Sequence, residues 1–151
     1  MKSELIMTGV PHLEYPVGEN ISTNLPYIKG MVKALLTLKL PFEKGINLIC
    51  RGSSGAIIAA IFASELGKIR TRIVHVKKEG EESHGGTTAD LNHSALNVIV
   101  DDFICSGETL NKIYEHFKKY NPDKEIDVVC VTGRHKELAF EPKYFLFGQR
   151  A

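Results

Sequence analysis

The sequence predicts an α/β fold whose mostly parallel central sheet is flanked by helices. Short apolar runs of strand length alternate with segments of helical periodicity along most of the chain. The strand candidates are almost continuous in Val, Ile and Leu, as required where both faces of a sheet are covered. Two turns rich in small residues each follow a strand and lead into a helix.

Each element follows from its pattern. Gly9, Pro11, Pro16, Gly18 and Pro26 divide the first 26 residues into irregular or short extended pieces. Ile28, Met31, Val32 and Leu35 then recur at helical spacing, with Lys29 and Lys33 free to face water, which gives a helix over residues 27–39 that Pro41 stops. A strand is expected at 46–50. An almost wholly apolar helix follows at 56–66, with Gly67 as its stop. Residues 72–77, rich in Val and Ile, form the next strand. Residues 78–93 carry charges, Gly80, Gly85, Gly86 and two threonines without any period. Loops of that length in compact domains often serve as lids or binding loops. A strand at 96–100, a helix at 107–120, a strand at 126–132 and a shorter one at 144–147 complete the chain. Leu110, Ile113, Tyr114 and Phe117 share one face of that last helix. Right-handed crossovers bring every strand-to-helix turn to one edge of such a sheet, where ligands of open α/β sheets bind.

The 151 residues, 43% of them hydrophobic, suit a single domain over 1–151 with a sizeable core. Lys and Arg number 19 against 18 Asp and Glu, a net charge of +1. That balance gives no reason to expect general nucleic-acid or acidic-membrane binding, but backbone amides can still build a local anion site. Cys50, Cys105 and Cys130 lack metal-site spacing and suit buried thiols in a reducing compartment. The chain starts with no basic and apolar leader and has no run of about 18 apolar residues, so the expected location is cytoplasmic.

The decisive segment runs from Val98 to Thr109. Asp101 and Asp102 emerge from a buried strand, and Cys105, Ser106, Gly107, Glu108 and Thr109 then lead into a helix. A turn of this kind can aim several backbone N–H groups at one anion, with the positive end of the helix behind them. Ser106 and Thr109 add hydroxyls, and Gly107 permits close approach. The carboxylates can accept hydrogen bonds from sugar hydroxyls or hold a hard cation through water. The plain alternative is an ordinary helix start, with Ser106 as N-cap and the acids favouring the positive end. Arg51, Gly52, Ser53, Ser54 and Gly55 make a second anion turn of the same design, weaker because Gly and Ser at helix starts are commonplace.

Taken together, the segment resembles the phosphoribosyl-diphosphate motif of the type I phosphoribosyltransferase family: apolar residues, two acids, then small residues around Ser/Thr-Gly-x-Thr. The resemblance covers roughly residues 27–132. It implies that Asp101 and Asp102 bind the ribose 2′ and 3′ hydroxyls and that Cys105 to Thr109 bind the 5′-phosphate. Three departures stand in the motif: Asn97 where an apolar residue is common, the bulky Phe103, and Cys105. The turn at Arg51 to Gly55 is similar to the family's pyrophosphate loop, in which a cis peptide exposes backbone groups. Residues 76–86 weakly resemble the flexible catalytic loop of the orotate type. Lys77 or Lys78 would there steady the diphosphate, and His84 matches the loop histidine. Glu81 and Glu82 occupy the region of the expected loop lysine; as plain surface charge they would have no role.

The resemblance therefore implies magnesium-dependent transfer of a phosphoribosyl group from phosphoribosyl diphosphate to a purine- or pyrimidine-like base. Lys78, His84, Asp101 and Asp102 carry the chemistry in that reading, and Mg2+ is held at Asp101 and Asp102. A regulator that binds phosphoribosyl diphosphate or a nucleotide without catalysis is the alternative. The base would be held by a small variable hood at 15–27 and 132–147, where Tyr144, Phe145 and Phe147 either stack on a heterocycle or pack the last strand. Gly133-Arg134-His135-Lys136 is a basic cluster at a strand end or a solvated turn. A homodimer is the default assembly.

Overall fold

The computed structural model describes residues 4–7, 25–77, 91–104, 107–133 and 138–148. Within them lie β1 (Glu4–Met7), α1 (Leu25–Leu36), β2 (Ile46–Arg51), α2 (Gly52–Glu65), β3 (Thr71–Val76), β4 (Leu96–Ile104), α3 (Glu108–Tyr120), β5 (Val128–Gly133) and β6 (Tyr144–Gly148). The six strands form one sheet in the order β1-β6-β5-β4-β2-β3, and every neighbouring pair is parallel. The α/β architecture expected from the sequence is thus present.

The boundaries differ from expectation where local chemistry decides them. Helix α1 begins two residues early, because Pro26 in a first turn gives up an N–H that has no intrahelical partner anyway. It ends at Leu36, where the Thr37 N–H donates to both Lys33 O and Ala34 O as the last turn tightens. Helix α2 starts at Gly52 rather than 56, so the small-residue turn is itself the first turn of the helix. Strand β4 runs on through Asp101 and Asp102 to Ile104. Of the expected loop at 78–93, residues 78–90 lie outside the described residues.

Two apolar layers sandwich the sheet. One joins α1 and α2 to Leu48, Cys50, Val98, Val100, Val128 and Cys130. The other joins α3, through Leu110, Ile113 and Phe117, to Ile49, Val74, Ile99 and Val129. Alternate residues of each strand feed opposite layers, which is why the strands read as continuous apolar runs. Helix α2 serves the β2-to-β3 connection on one face, and α3 serves β4-to-β5 on the other. The connections therefore diverge between β2 and β4, and open α/β sheets bind ligands at such a point.

The lower end of the sheet explains Asn97. It is 5% exposed and stands opposite fully buried Asn47 in the β2–β4 register. Asn47 Nδ2 donates to Asn97 Oδ1 and to Asn92 O, both at 3.0 Å. Asn97 Nδ2 donates to Glu125 O at 3.2 Å, and the Asn97 amide donates to Asp127 Oδ2 at 2.8 Å. Lys143 pairs with the other Asp127 oxygen at 3.1 Å. A side-chain ladder thus joins β2, β4 and the approaches to β5 and β6 where apolar packing ends. Each buried amide has its partners, which removes the penalty of burying it.

Two stability outcomes follow. Gly45 enters β2 at φ 89°, and a Cβ there would lie 2.8 Å from the Arg70 carbonyl that accepts from Ile46 N. Gly45→Ala is expected to lower unfolding free energy by about 1–3 kcal/mol in urea titrations. Asn47→Leu strands Asn97 and should cost a similar ~1–3 kcal/mol, whereas the Asn47→Leu/Asn97→Leu double variant should cost less than the two single changes added.

Candidate functional site

Strands β2 and β4 stay in register from Ile46↔Leu96 to Ile49↔Ile99 and then part. β2 turns into α2, and β4 breaks register with β5. Val100 pairs with Cys130 and Phe103 with Thr132, so Asp101 and Asp102 together oppose the single residue Val131. This is a β-bulge, a device that re-aims side chains at sheet rims. Strict alternation after Val100, which faces α1 and α2, would turn Asp101 toward α3. The bulge instead leaves it on the α2 side. Asp101 Oδ1 lies 3.8 Å from where a Cβ on Gly55 would stand, and it accepts from the Asp102 amide at 2.9 Å. Both carboxylates are half-buried.

The first turn of α2 closes over this point. Arg51, extended at φ −147°, is half-buried at the end of β2, and Gly52 turns the chain at φ 78°. Every peptide bond among the described residues is trans, those of this turn included. Gly52 and Gly55 are buried, Ser54 is half-buried and Ser53 is exposed. His75, on β3 opposite Cys50, brings Nε2 to 3.4 Å from Gly52 O. In a trans peptide the carbonyl and the following N–H point in opposite directions. Drawing the Gly52 carbonyl toward β3 therefore turns the Ser53 N–H away from the sheet. Sequence reasoning missed His75, since its partner is a backbone atom supplied by a different element.

Across the crevice, Gly107 adopts φ 82° as N-cap of α3, and its carbonyl accepts from Asn111 N at 2.9 Å. A left-handed cap favours glycine. Thr109 is half-buried in the first turn. Glu108 is exposed and bonded to Lys112 at 2.9 Å, which with the Lys112 charge and a smaller contribution from Arg51 holds its carboxyl below the usual range. Arg51 is thus close enough for its charge to reach the start of α3. Beneath Asp101, a cavity of about 10 Å³ is lined by Tyr27, Met31, Phe62 and Cys130 among others, too small for more than one water. Burial pushes the Cys130 thiol far above its ordinary range, and Cys50 is buried as well.

The structure thus brings together Arg51, Gly52, Ser53, Ser54, Gly55, Asp101, Asp102, Gly107, Glu108 and Thr109, with exposed Lys77 one residue past the end of the neighbouring strand β3. Lys78, His84, Cys105 and Ser106 lie outside the described residues, as do Glu81, Glu82 and the cluster Arg134-His135-Lys136. Of the aromatic hood candidates, Phe145 is core and Tyr144 packs against the other layer, so β6 uses both for burial rather than stacking. The side chain of Phe147 is outside the described residues.

The chain is thus an α/β protein with two helix starts and an acidic bulge at the switch point of its sheet. A family model for the phosphoribosyl transferase domain matches residues 42–150, and the chain belongs to that family, in its type I form. The transcriptional regulator GfcR of Methanocaldococcus jannaschii is 33% identical over 97 residues, which are 60% of this chain and 45% of that protein. The chain thus spans less than half the length of that relative. Among solved structures, a purine phosphoribosyltransferase of Pyrococcus horikoshii is 27% identical with a TM-score of 0.51, covering 81% of this chain and 82% of that one. A hypoxanthine-guanine phosphoribosyltransferase of Bacillus anthracis shares the fold at 20% identity and TM-score 0.58, over 86% of this chain and 82% of that one.

If the His75 contact orients the turn, His75→Ala should weaken inorganic pyrophosphate binding about three- to tenfold, the range of one neutral hydrogen bond, while the unfolding midpoint moves little. Titration calorimetry reads the first quantity and thermal denaturation the second. Partial recovery in His75→Gln would mark an orienting role rather than loss of packing.

Proposed function

We propose that the crevice between β2 and β4 binds phosphoribosyl diphosphate and that the chain transfers the 5-phosphoribosyl group to a nitrogenous base, releasing pyrophosphate. The observation that carries this reading is the approach of the Asp101 carboxylate to Gly55. It sets the acids proposed to bind the sugar directly beside the turn proposed to bind the diphosphate. Arg51 and the amides of Ser53, Ser54 and Gly55 hold the diphosphate. Asp101 and Asp102 accept hydrogen bonds from the ribose hydroxyls. Ser106, Gly107 and Thr109 hold the 5′-phosphate at the start of α3.

Two half-buried carboxylates side by side suit a magnesium ion that keeps its waters and takes its remaining oxygens from the diphosphate. Bound there, magnesium would neutralise charge on the diphosphate. In the transfer, the C1–O bond to the diphosphate breaks and a C1–N bond to the base forms, while the base nitrogen gives up its proton. Positive charge that develops on the ribose ring is favoured by Asp101 and Asp102, and negative charge on the leaving group by Arg51, Lys77 or Lys78 and the turn amides. Residues 78–90, with His84, would cover the site and exclude water. A homodimer in the cytoplasm completes this reading.

A second reading is favoured by the regulator among the relatives and by Glu81 and Glu82 in the covering segment. There the same crevice senses phosphoribosyl diphosphate or a nucleotide without turnover. Magnesium-dependent pyrophosphate release, measured against purines, pyrimidines and orotate, separates the two. Release with any base supports the transferase. Binding without release for all of them supports the sensor, and no binding sinks both.

Asp102→Asn is expected to weaken phosphoribosyl diphosphate binding roughly tenfold to a hundredfold, the range of a charge-assisted hydrogen bond. Unchanged affinity would remove Asp102 from the site. Under the transferase reading, Glu81→Lys relieves repulsion of the diphosphate and should raise turnover, which steady-state pyrophosphate release would register.

A further inference from the structure

At the opposite end of the sheet, a groove of about 590 Å³ is lined by Ile46, Arg70, Thr71, Arg72, Leu91, Asn92, His93 and Ser94. It lies at the starts of β2 and β3, and the acids and turns of the candidate site lie at the strand ends. Among the described residues, no acidic side chain lines it. Arg70, Arg72 and His93 are all exposed, and the Arg70 side chain has no hydrogen-bond or ion-pair partner among the described residues. In a chain of net charge +1, two guanidinium groups beside one groove are a local concentration of positive charge rather than a reflection of composition.

The groove is built rather than incidental. Its floor is apolar: Ile46 is 1% and Leu91 6% exposed. Its far wall, residues 91–94, is fastened to the sheet. Asn47 Nδ2 donates to Asn92 O at 3.0 Å, and the Asn92 amide donates to Asn47 Oδ1 at 3.2 Å. Lys124 Nζ donates to His93 O at 3.0 Å, and Ser94 Oγ donates to Asn92 Oδ1 at 3.0 Å. The near wall is the start of β3, where Arg70 and Arg72 alternate with Thr71 in the period of a strand. Small-molecule sites are pre-formed concavities of about 300–1,000 Å³ with apolar floors and a few placed polar groups. The groove meets each condition.

We propose that this groove is a second anion site that takes a small phosphate-bearing organic molecule of nucleotide size. Arg70 and Arg72 supply planar donor forks for phosphate oxygens. The hydroxyl oxygens of Thr71 and Ser94, whose protons go to Ile69 O and Asn92 Oδ1, accept from the hydroxyls of a sugar, and the apolar floor receives the organic part. Two guanidinium groups in one short groove suit a small ligand rather than a nucleic-acid backbone, whose affinity grows with the number of phosphates neutralised along it. The site stands independently of the phosphoribosyl reading, because it shares no residue with the β2–β4 crevice.

Titration calorimetry of the full chain with AMP, GMP and inorganic pyrophosphate tests it, alongside a 20-base-pair DNA duplex. The test is run in the wild type and in an Arg51→Ala/Asp102→Asn chain that disables the upper crevice. The expected result is nucleotide binding that survives in the crevice variant. It should fall at least tenfold in Arg70→Met and in Arg72→Met, two exposed positions where folding is retained and checked by thermal melting. Nucleotide binding that disappears in the crevice variant, or that persists unchanged in both arginine variants, overturns the proposal. So does binding of the duplex with none of the nucleotide. A wild type that binds nucleotide in the groove but no phosphoribosyl diphosphate would instead count against the phosphoribosyl reading alone.

Discussion

Parallel strands buried on both faces leave polar side chains no place along their length and confine them to the two ends of the sheet. The rest of this structure depends on how the two ends meet that constraint. At the lower end, Asn47, Asn97 and Asp127 hydrogen-bond one another and the adjoining backbone, with Lys143 closing the chain of contacts. At the upper end, the first turn of α2 and the bulge in β4 bring Gly52, Gly55, Asp101 and Asp102 to the mouth of one crevice.

The divergence of connections between β2 and β4 makes the upper crevice, and the β-bulge in β4 gives it its chemistry. One extra residue opposite Val131 keeps Asp101 beside α2. Pairing with β5 resumes beyond it, Phe103 with Thr132 and Ile104 with Gly133, to the end of the strand. The helices contribute in a second way, since both start in small residues whose absent or short side chains let backbone and ligand approach. Gly52 and Gly107 hold positive φ on the two sides of the crevice, and Gly55 leaves room for the Asp101 carboxylate.

The lower groove is shaped by the same packing. Fastening residues 91–94 to Asn47 satisfies a buried amide and at the same time raises a wall opposite Arg70 and Arg72. Sequence reading passed over both arginines, because neither belongs to a motif and they meet residues 91–94 only through the return of the chain to the sheet's lower edge.

Much of the protein was legible in the sequence because its signals are local. Val98 to Thr109 is a strand, an acid pair and a helix start within twelve residues, and the apolar runs announce a sheet covered on both sides. Helix α2 was read four residues short, since Gly and Ser at its start carry low helical propensity that packing over β2 overrides. Tyr144 and Phe145 stood open between a base-stacking and a core role, and only their pairing with β5 and their burial in opposite layers decided it. The residue types that can hold a phosphorylated ribose were determined by the sequence itself, Asp101 and Asp102 first among them. Which face Asp101 takes, that it meets Gly55, and that His75 reaches Gly52 were decided by the tertiary structure. Each depends on register between strands far apart in the chain, and a one-residue shift reverses the face.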